Sequence, residues 1–382
     1  MKKPLLITII VLLIIFILPV AGFLGWFFKE KKPMNIVILD KTVHSLERVK
    51  HKSLTWVLAN SRFVKEDNNR KYILRKDYYG FFPIKPLRTK QYRRNDLRLA
   101  ELIDLADNKD ALYYADTYGV FFNDWYQGIN RSRRSRKLYG GLNNNDYLLI
   151  AEMKKRNKLI ILEHNTFDYP TDAYERYRVE EQYGMQTTGW TGQYYESLDS
   201  LSVPIWMINI YNKKYRSPWT YENAGIVLMK GENEIIVMEE GKHLSSALPF
   251  ITTSEGEVER YRVDPKVAFT GTFDIVNPKQ NRVISNFTLE TTPEGADLLD
   301  LNFLTPVFPA VLADAETGRT IYFCGDFATG NVPPWTACFG SLNILTKALY
   351  SDDANDPKRF FWLYYKPLLD SILSEYYLSL EN

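Results

Sequence analysis

Cysteine and histidine are scarce in this chain, two of the first and four of the second among 382 residues. Cys324 and Cys338 cannot supply the framework of a disulfide-rich domain. Cys324 lies in an apolar strand-like run, where a buried free thiol is the expected condition. His44, His51, His164 and His243 are nowhere paired at the helical spacing of a zinc site, so metal chemistry is set aside. No Gly-x-Ser-x-Gly elbow is present, which excludes serine catalysis of that kind. A net charge of +2 is too small to call for nucleic acid. There is no internal repeat and no low-complexity segment, and no motif calls for a cofactor.

Aromatic residues, by contrast, are abundant at 14%, with 26 Tyr and 8 Trp. Such residues serve sugar- or peptide-binding surfaces and half-wet core positions alike. One long hydrophobic run is present. Pro4 to Phe28 carry no charge over 25 residues, with Lys2 and Lys3 before them. That length suits a bilayer span. A cleaved signal peptide is the rival, with Val20 and Gly22 as small residues, but the run exceeds an ordinary signal-peptide core. Residues 1–33 are therefore expected to form an N-terminal transmembrane helix. It would contact membrane lipid and make the chain a single-pass cell-membrane protein, with its bulk extracytoplasmic.

Beyond it, Asn35–Asp40 read as a buried strand followed by Lys41-Thr42, and Ser45–Leu58 as a helix. Asn60–Arg98 are polar and aromatic, the composition of a surface excursion, and Leu97–Ala106 are amphipathic. Ala111–Asp116 form the next strand, followed by Thr117. A loop with five cations, Arg131–Lys137, leads through Tyr139-Gly-Gly-Leu142 into a helix over Asp146–Asn157. Leu159–Leu162 then form a strand buried on both faces, ending in the polar cluster Glu163, His164, Asn165 and Thr166. Ala173–Tyr183 read as a helix closed by Gly184. Thr187–Gly192, around Trp190, read as a loop, and Pro204–Tyr211 as a strand. Ala224–Lys230 and Glu234–Glu239 form a hairpin, after which Glu239 and His243 stand close in sequence. A strand over Thr320–Cys324 ends in Gly325-Asp326, and Leu342–Tyr350 and Arg359–Tyr377 are closing helices.

The order of elements predicts an α/β fold, a mainly parallel sheet flanked by helices with a β-rich later half. Residues 34–200 would form the core and 201–345 a β-rich portion returning to its sheet, with helices over 346–382. In open α/β sheets ligands bind beyond the carboxyl ends of the strands. That edge should gather Asp40, Asp116 and Glu163.

The strands Asn35–Asp40, Ala111–Asp116 and Leu159–Leu162, with Tyr139-Gly-Gly141 and the helix Ala173–Gly184, resemble the class I glutamine amidotransferase-like superfamily. Within it they are similar to ThuA-like, flavodoxin-type members in a membrane-anchored bacterial family. The resemblance implies a cysteine nucleophile on a Gly-flanked turn after the central strand. Here that turn reads Glu163-His-Asn-Thr-Phe167, so thiolate chemistry is not available at this position.

Two-carboxylate hydrolysis of a glycan or amide would fall to Glu163 with Asp116 or Asp326. Strand-end acids serve equally as turn and helix caps. Asp40, Lys41, Thr117, His164, Asn165, Thr166, Trp190, Glu239 and His243 are the expected binding residues. The leading expectation is a thiol-less cleft that binds a carbohydrate or cell-envelope component. A carboxylate-dependent hydrolase and an envelope scaffold for a protein partner are the alternatives.

Overall fold

The computed structural model describes residues 17, 19–126, 135–167, 169–231, 233–330, 332–340, 347 and 349–381. Most of the apolar N-terminal run (1–16 and 18), part of the basic loop (131–134) and most of the expected helix over 342–350 lie outside the described residues.

Ten strands form the main sheet, in the order 266–268, 250–253, 282–288, 307–313, 320–323, 159–163, 111–116, 36–40, 79–83, 92–95. Its centre is parallel. Leu159–Glu163 pairs in parallel with Ala111–Asp116 on one side and Thr320–Phe323 on the other. Ile36–Asp40 lies between Ala111–Asp116 and Tyr79–Pro83, again in parallel. Both flanks are antiparallel. The sequence order of the five parallel strands is thus 2-1-3-4-5, the flavodoxin-like doubly wound arrangement.

Tyr113 and Tyr114 show how the helices cover this sheet. Neighbours on a strand point to opposite faces. The Tyr113 hydroxyl meets Tyr365 Oη at 2.9 Å, next to the C-terminal helix Lys366–Glu381. The Tyr114 hydroxyl donates to the Asp146 carbonyl, 3.0 Å away, in the helix Asn144–Lys155. That second helix starts where Asn143 accepts from the Asn145 and Asp146 amides and Asp146 reciprocates to the Asn143 amide, a capping box. Between the layers Leu159–Glu163 is buried throughout.

A second sheet has four strands, in the order 234–239, 225–230, 186–195, 272–277, all antiparallel. It joins the first where the Asp274 amide donates to the Cys324 carbonyl (2.7 Å) and the Asp326 amide to the Thr272 carbonyl (3.1 Å).

Two sequence expectations are corrected here. The sheet is not mainly parallel, because five of the nine pairings in the large sheet are antiparallel, as are all those of the four-stranded sheet. In the later half of the chain, neighbouring strands of the large sheet run back on one another, through the hairpin between 307–313 and 320–323 and through the helices Glu255–Tyr261 and Pro293–Asp300. The second correction concerns the membrane. Among the described residues, no helix is long and apolar enough to cross one. The transmembrane helix, the lipid contact through it and the single-pass, extracytoplasmic placement are withdrawn accordingly. The end of the apolar run packs on the folded domain instead. Trp26 Nε1 donates to the Ala59 carbonyl at 3.0 Å, and the Arg62 guanidinium lies 4.6 Å from the Trp26 ring centroid.

Candidate functional site

At the carboxyl edge of the parallel strands a polar network replaces the apolar core. Asp116 is buried, and its Oδ1 accepts from Thr42 Oγ1 (2.6 Å) and the Tyr118 amide (2.7 Å). Its Oδ2 takes no well-aligned hydrogen bond, yet lies 3.2 Å from Lys50 Nζ. The same ammonium lies 3.2 Å from Asp326 Oδ2. Burial by itself lowers the Lys50 pKa. The flanking Asp116 and Asp326 carboxylates outweigh it and raise the pKa above the ordinary lysine value, so Lys50 is an ammonium bridging two acids. Asp326 Oδ1 accepts in turn from the Thr272 amide at 2.9 Å.

Asp40 and Lys41 extend this edge. Asp40 Oδ1 accepts from the Thr42 amide (2.9 Å), and Oδ2 lies 2.6 Å from His51 Nδ1. His51 Nε2 faces the Leu74 carbonyl at 3.0 Å, which fixes the ring. Lys41 is buried, paired with Asp146 and donating to the Gly141 carbonyl at 2.9 Å.

His164 stands at the end of the central strand and meets Asp274 from the other sheet, with Nδ1 to Oδ1 at 2.6 Å. Burial disfavours the imidazolium, but Asp274, helped by Asp326 and Asp116, holds the His164 pKa above its ordinary value. Asp274 Oδ2 accepts from the Tyr322 hydroxyl and the Asn165 amide. Asn165 has φ 69°, the left-handed conformation that Asn tolerates better than most residues. Its carbonyl accepts from Thr117 Oγ1 at 2.8 Å. Thr166 Oγ1 closes the turn on the Glu163 carbonyl at 2.6 Å. The turn thus carries Asn165 in a left-handed conformation directly after the central strand, and no nucleophile.

Glu163 is sealed. Its Oε1 accepts from the Tyr113 hydroxyl, and both carboxyl oxygens face the Ala328 amide at 3.0 and 3.1 Å. Burial pushes its pKa well above the usual carboxylate range, and these hydrogen bonds oppose the shift without cancelling it. A folded pKa above the unfolded 4.5 means that ionisation works against folding as pH rises. Glutamine mimics the neutral form. Glu163→Gln is therefore expected to fold at least as stably as the parent at neutral pH, with a flatter stability profile above pH 4.5 and unchanged ligand affinity. Denaturant titrations across that range check it, and a large loss of stability would mean that the carboxylate itself is required.

Cys324 offers no substitute nucleophile. Burial, and then Asp274, push its thiol well above the ordinary range, and both cysteines are free.

A cavity of about 740 Å³ opens beside Asp326. Phe269, Phe327, Phe360 and Trp362 form its aromatic walls, while Gln193 and Lys358 reach it as polar groups. Thr329 Oγ1, on its lining, is buried with no hydrogen-bond partner among the described residues.

Asp40, Lys41, Asp116, Thr117, Glu163, His164, Asn165, Thr166 and Asp326 therefore belong to one edge of the sheet and its connecting turns. Three expected residues do not join them. Trp190 is buried in the core within the strand Gln186–Tyr195. Glu239 and His243 hold a turn elsewhere, where His243 Nδ1 accepts from the Glu239 amide (3.2 Å) and Glu239 Oε1 from the Glu222 and Asn223 amides. Lys50, His51 and Asp274 were missed by sequence reasoning. Asp274 had a signal, as a lone acid inside the apolar run Phe273–Val276, where an unpaired charge would be costly. Lys50 and His51 had none.

No family model and no curated protein matches the chain. Among solved structures, it is similar to a ThuA-like protein from Parabacteroides merdae ATCC 43184, at 10% identity and a TM-score of 0.36 over 77% of this chain and 79% of that one. It is likewise similar to a ThuA-like protein from Bacteroides uniformis ATCC 8492, at 9% identity and a TM-score of 0.35 over 86% of this chain and 97% of that one.

Proposed function

We propose that this chain binds a carbohydrate in the cavity beside Asp326, without thiol chemistry. The make-up of that cavity carries the reading. Its volume of about 740 Å³ falls in the range of small-molecule sites, which combine apolar walls with a few fixed polar groups. The electron-rich ring faces of Phe269, Phe327 and Trp362 match the C–H-rich face of a sugar ring. Gln193 and Asp326 supply a donor and acceptors for hydroxyls, and a ligand hydroxyl would satisfy the orphaned Thr329 Oγ1. Asp326 shares the Lys50 ammonium with Asp116.

Carboxylate-dependent hydrolysis is a second reading, and one observation favours it. Asp116 and Asp326 each lie 3.2 Å from the same ammonium, so the two carboxyls stand close together, as paired carboxyls must for such hydrolysis. Against it, that ammonium lies between them, and Glu163 is closed off from the cavity.

Calorimetric titration of soluble oligosaccharides into the full chain tests both. A binder is expected whose affinity falls about tenfold in Gln193→Ala and in Lys358→Ala, the scale of one lost hydrogen bond to a ligand. No product should form on long incubation. A panel without any binder removes the proposal. Glycan cleavage that disappears in Asp116→Asn would move the assignment to the hydrolase.

A further inference from the structure

The parallel strands change direction of winding between Ile36–Asp40 and Ala111–Asp116. From the first the chain runs outward to 79–83, and then crosses back to lay 111–116 on the other side. Connections that diverge in this way leave a crevice at the carboxyl ends of the two strands. A second cavity, of about 390 Å³, lies here, lined by Lys41, which follows the first strand directly, and by Arg94, Asp96, Lys137, Tyr139 and Gly140.

Its charge differs from that of the cavity beside Asp326. Lys41 is neutralised by Asp146. Asp96 lies 3.8 Å from the Arg94 guanidinium and also accepts from the Tyr139 hydroxyl at 2.7 Å. Lys137 Nζ reaches the Pro170 carbonyl at 3.3 Å and has no carboxylate partner among the described residues. Three cations face two acids, so one positive charge is left over. The Arg94 side chain is 55% exposed and held by one long ion pair, leaving donors for an incoming group. A guanidinium fork beside an ammonium suits the geometry of an oxyanion.

We propose that this switch-point cavity binds a small oxyanion, a carboxylate or a phosphate group, held by Arg94 and Lys137. The site is separate from the carbohydrate cavity and does not depend on that reading.

Inorganic phosphate and acetate, titrated separately into the full chain at constant ionic strength, are the probes, followed by amide NMR. Saturable shifts of the Gly140 and Gly141 amides are expected with at least one of them. Each of Arg94→Ala and Lys137→Ala should weaken that binding about tenfold or more, the effect of removing one charged hydrogen bond to the ligand. Lys358→Ala, at the other cavity, should leave it unchanged. Saturation by acetate alone identifies a carboxylate ligand, and by phosphate alone a phosphate ligand. Failure of both probes to saturate overturns the proposal, as does undiminished binding in Arg94→Ala and Lys137→Ala.

Discussion

Lys50→Met is expected to destabilise the protein by about 3–5 kcal/mol, the usual penalty for removing one partner of a buried ion pair. The Lys50 side chain is 20% exposed, but those of the acids it serves are 1% and 9% exposed. Asp116 would keep Thr42 and the Tyr118 amide on Oδ1, and Oδ2 would lose its counter-charge. The pH dependence has a definite sign. The Lys50 pKa is raised above 10.5, so its stabilisation is fully present below that pH and fades only above it. The defect should therefore be constant across the neutral range. Paired denaturant titrations of parent and variant measure it, and a loss below about 1 kcal/mol would mean that water reaches both carboxylates as at a surface ion pair.

The second large effect is expected at Asp274. Asp274→Ala leaves the His164 ring, the Tyr322 hydroxyl and the Asn165 amide without their acceptor at once, again at a cost of about 3–5 kcal/mol. The milder Asp274→Asn tests the electrostatics. In the parent, the His164 pKa is raised above 6.5. Its contribution is fully present below pH 6.5 and lost as pH climbs through the raised value. In Asp274→Asn only burial and the more distant acids remain, and burial dominates. The His164 pKa should fall below its ordinary value, so that acidification weakens the variant where it strengthens the parent. NMR titration of the His164 ring, alongside stability measured on both sides of neutrality, reads the reversal. Parallel profiles in parent and variant would remove Asp274 as the controlling charge.

The centre of the fold was legible because it is built from unbroken apolar runs that end in acids. Ile36–Asp40, Ala111–Asp116 and Leu159–Glu163 are strands, as their sequences indicate. Tyr79–Pro83, the outermost parallel strand, lies inside the polar and aromatic stretch whose composition reads as a surface excursion. Gly80 is required by crowding, since a Cβ there would stand 1.8 Å from the Asp40 carbonyl oxygen. Gln186–Tyr195 was hidden in the same way. Gly192 reads as a loop residue, but it makes room for the Phe273 ring of the neighbouring strand. Ile205–Tyr215 is a helix where a strand was expected, an ambiguity that short apolar runs always carry. The acids of the site could be found from where strands end. Their partners Lys50 and His51 could not, because nothing local in the chain records which distant strand will lie alongside.

The distances along the chain between those partners bear on how the protein reaches its native state. His164 and Asp274 are 110 residues apart, Glu163 and Ala328 are 165, and Lys50 and Asp326 are 276. Contacts of such long range require large loops to close before they return any stabilisation, and they slow folding accordingly. During synthesis, Glu163 and His164 emerge long before Ala328 and Asp274, the residues that will enclose or pair with them. Until residues 320–328 arrive, the central strand lacks one neighbour and its Glu163 carboxyl stays open to water. The crevice is thus completed by the last of the described strands along the chain, and the ability to bind a ligand there would mark chains that have folded to completion.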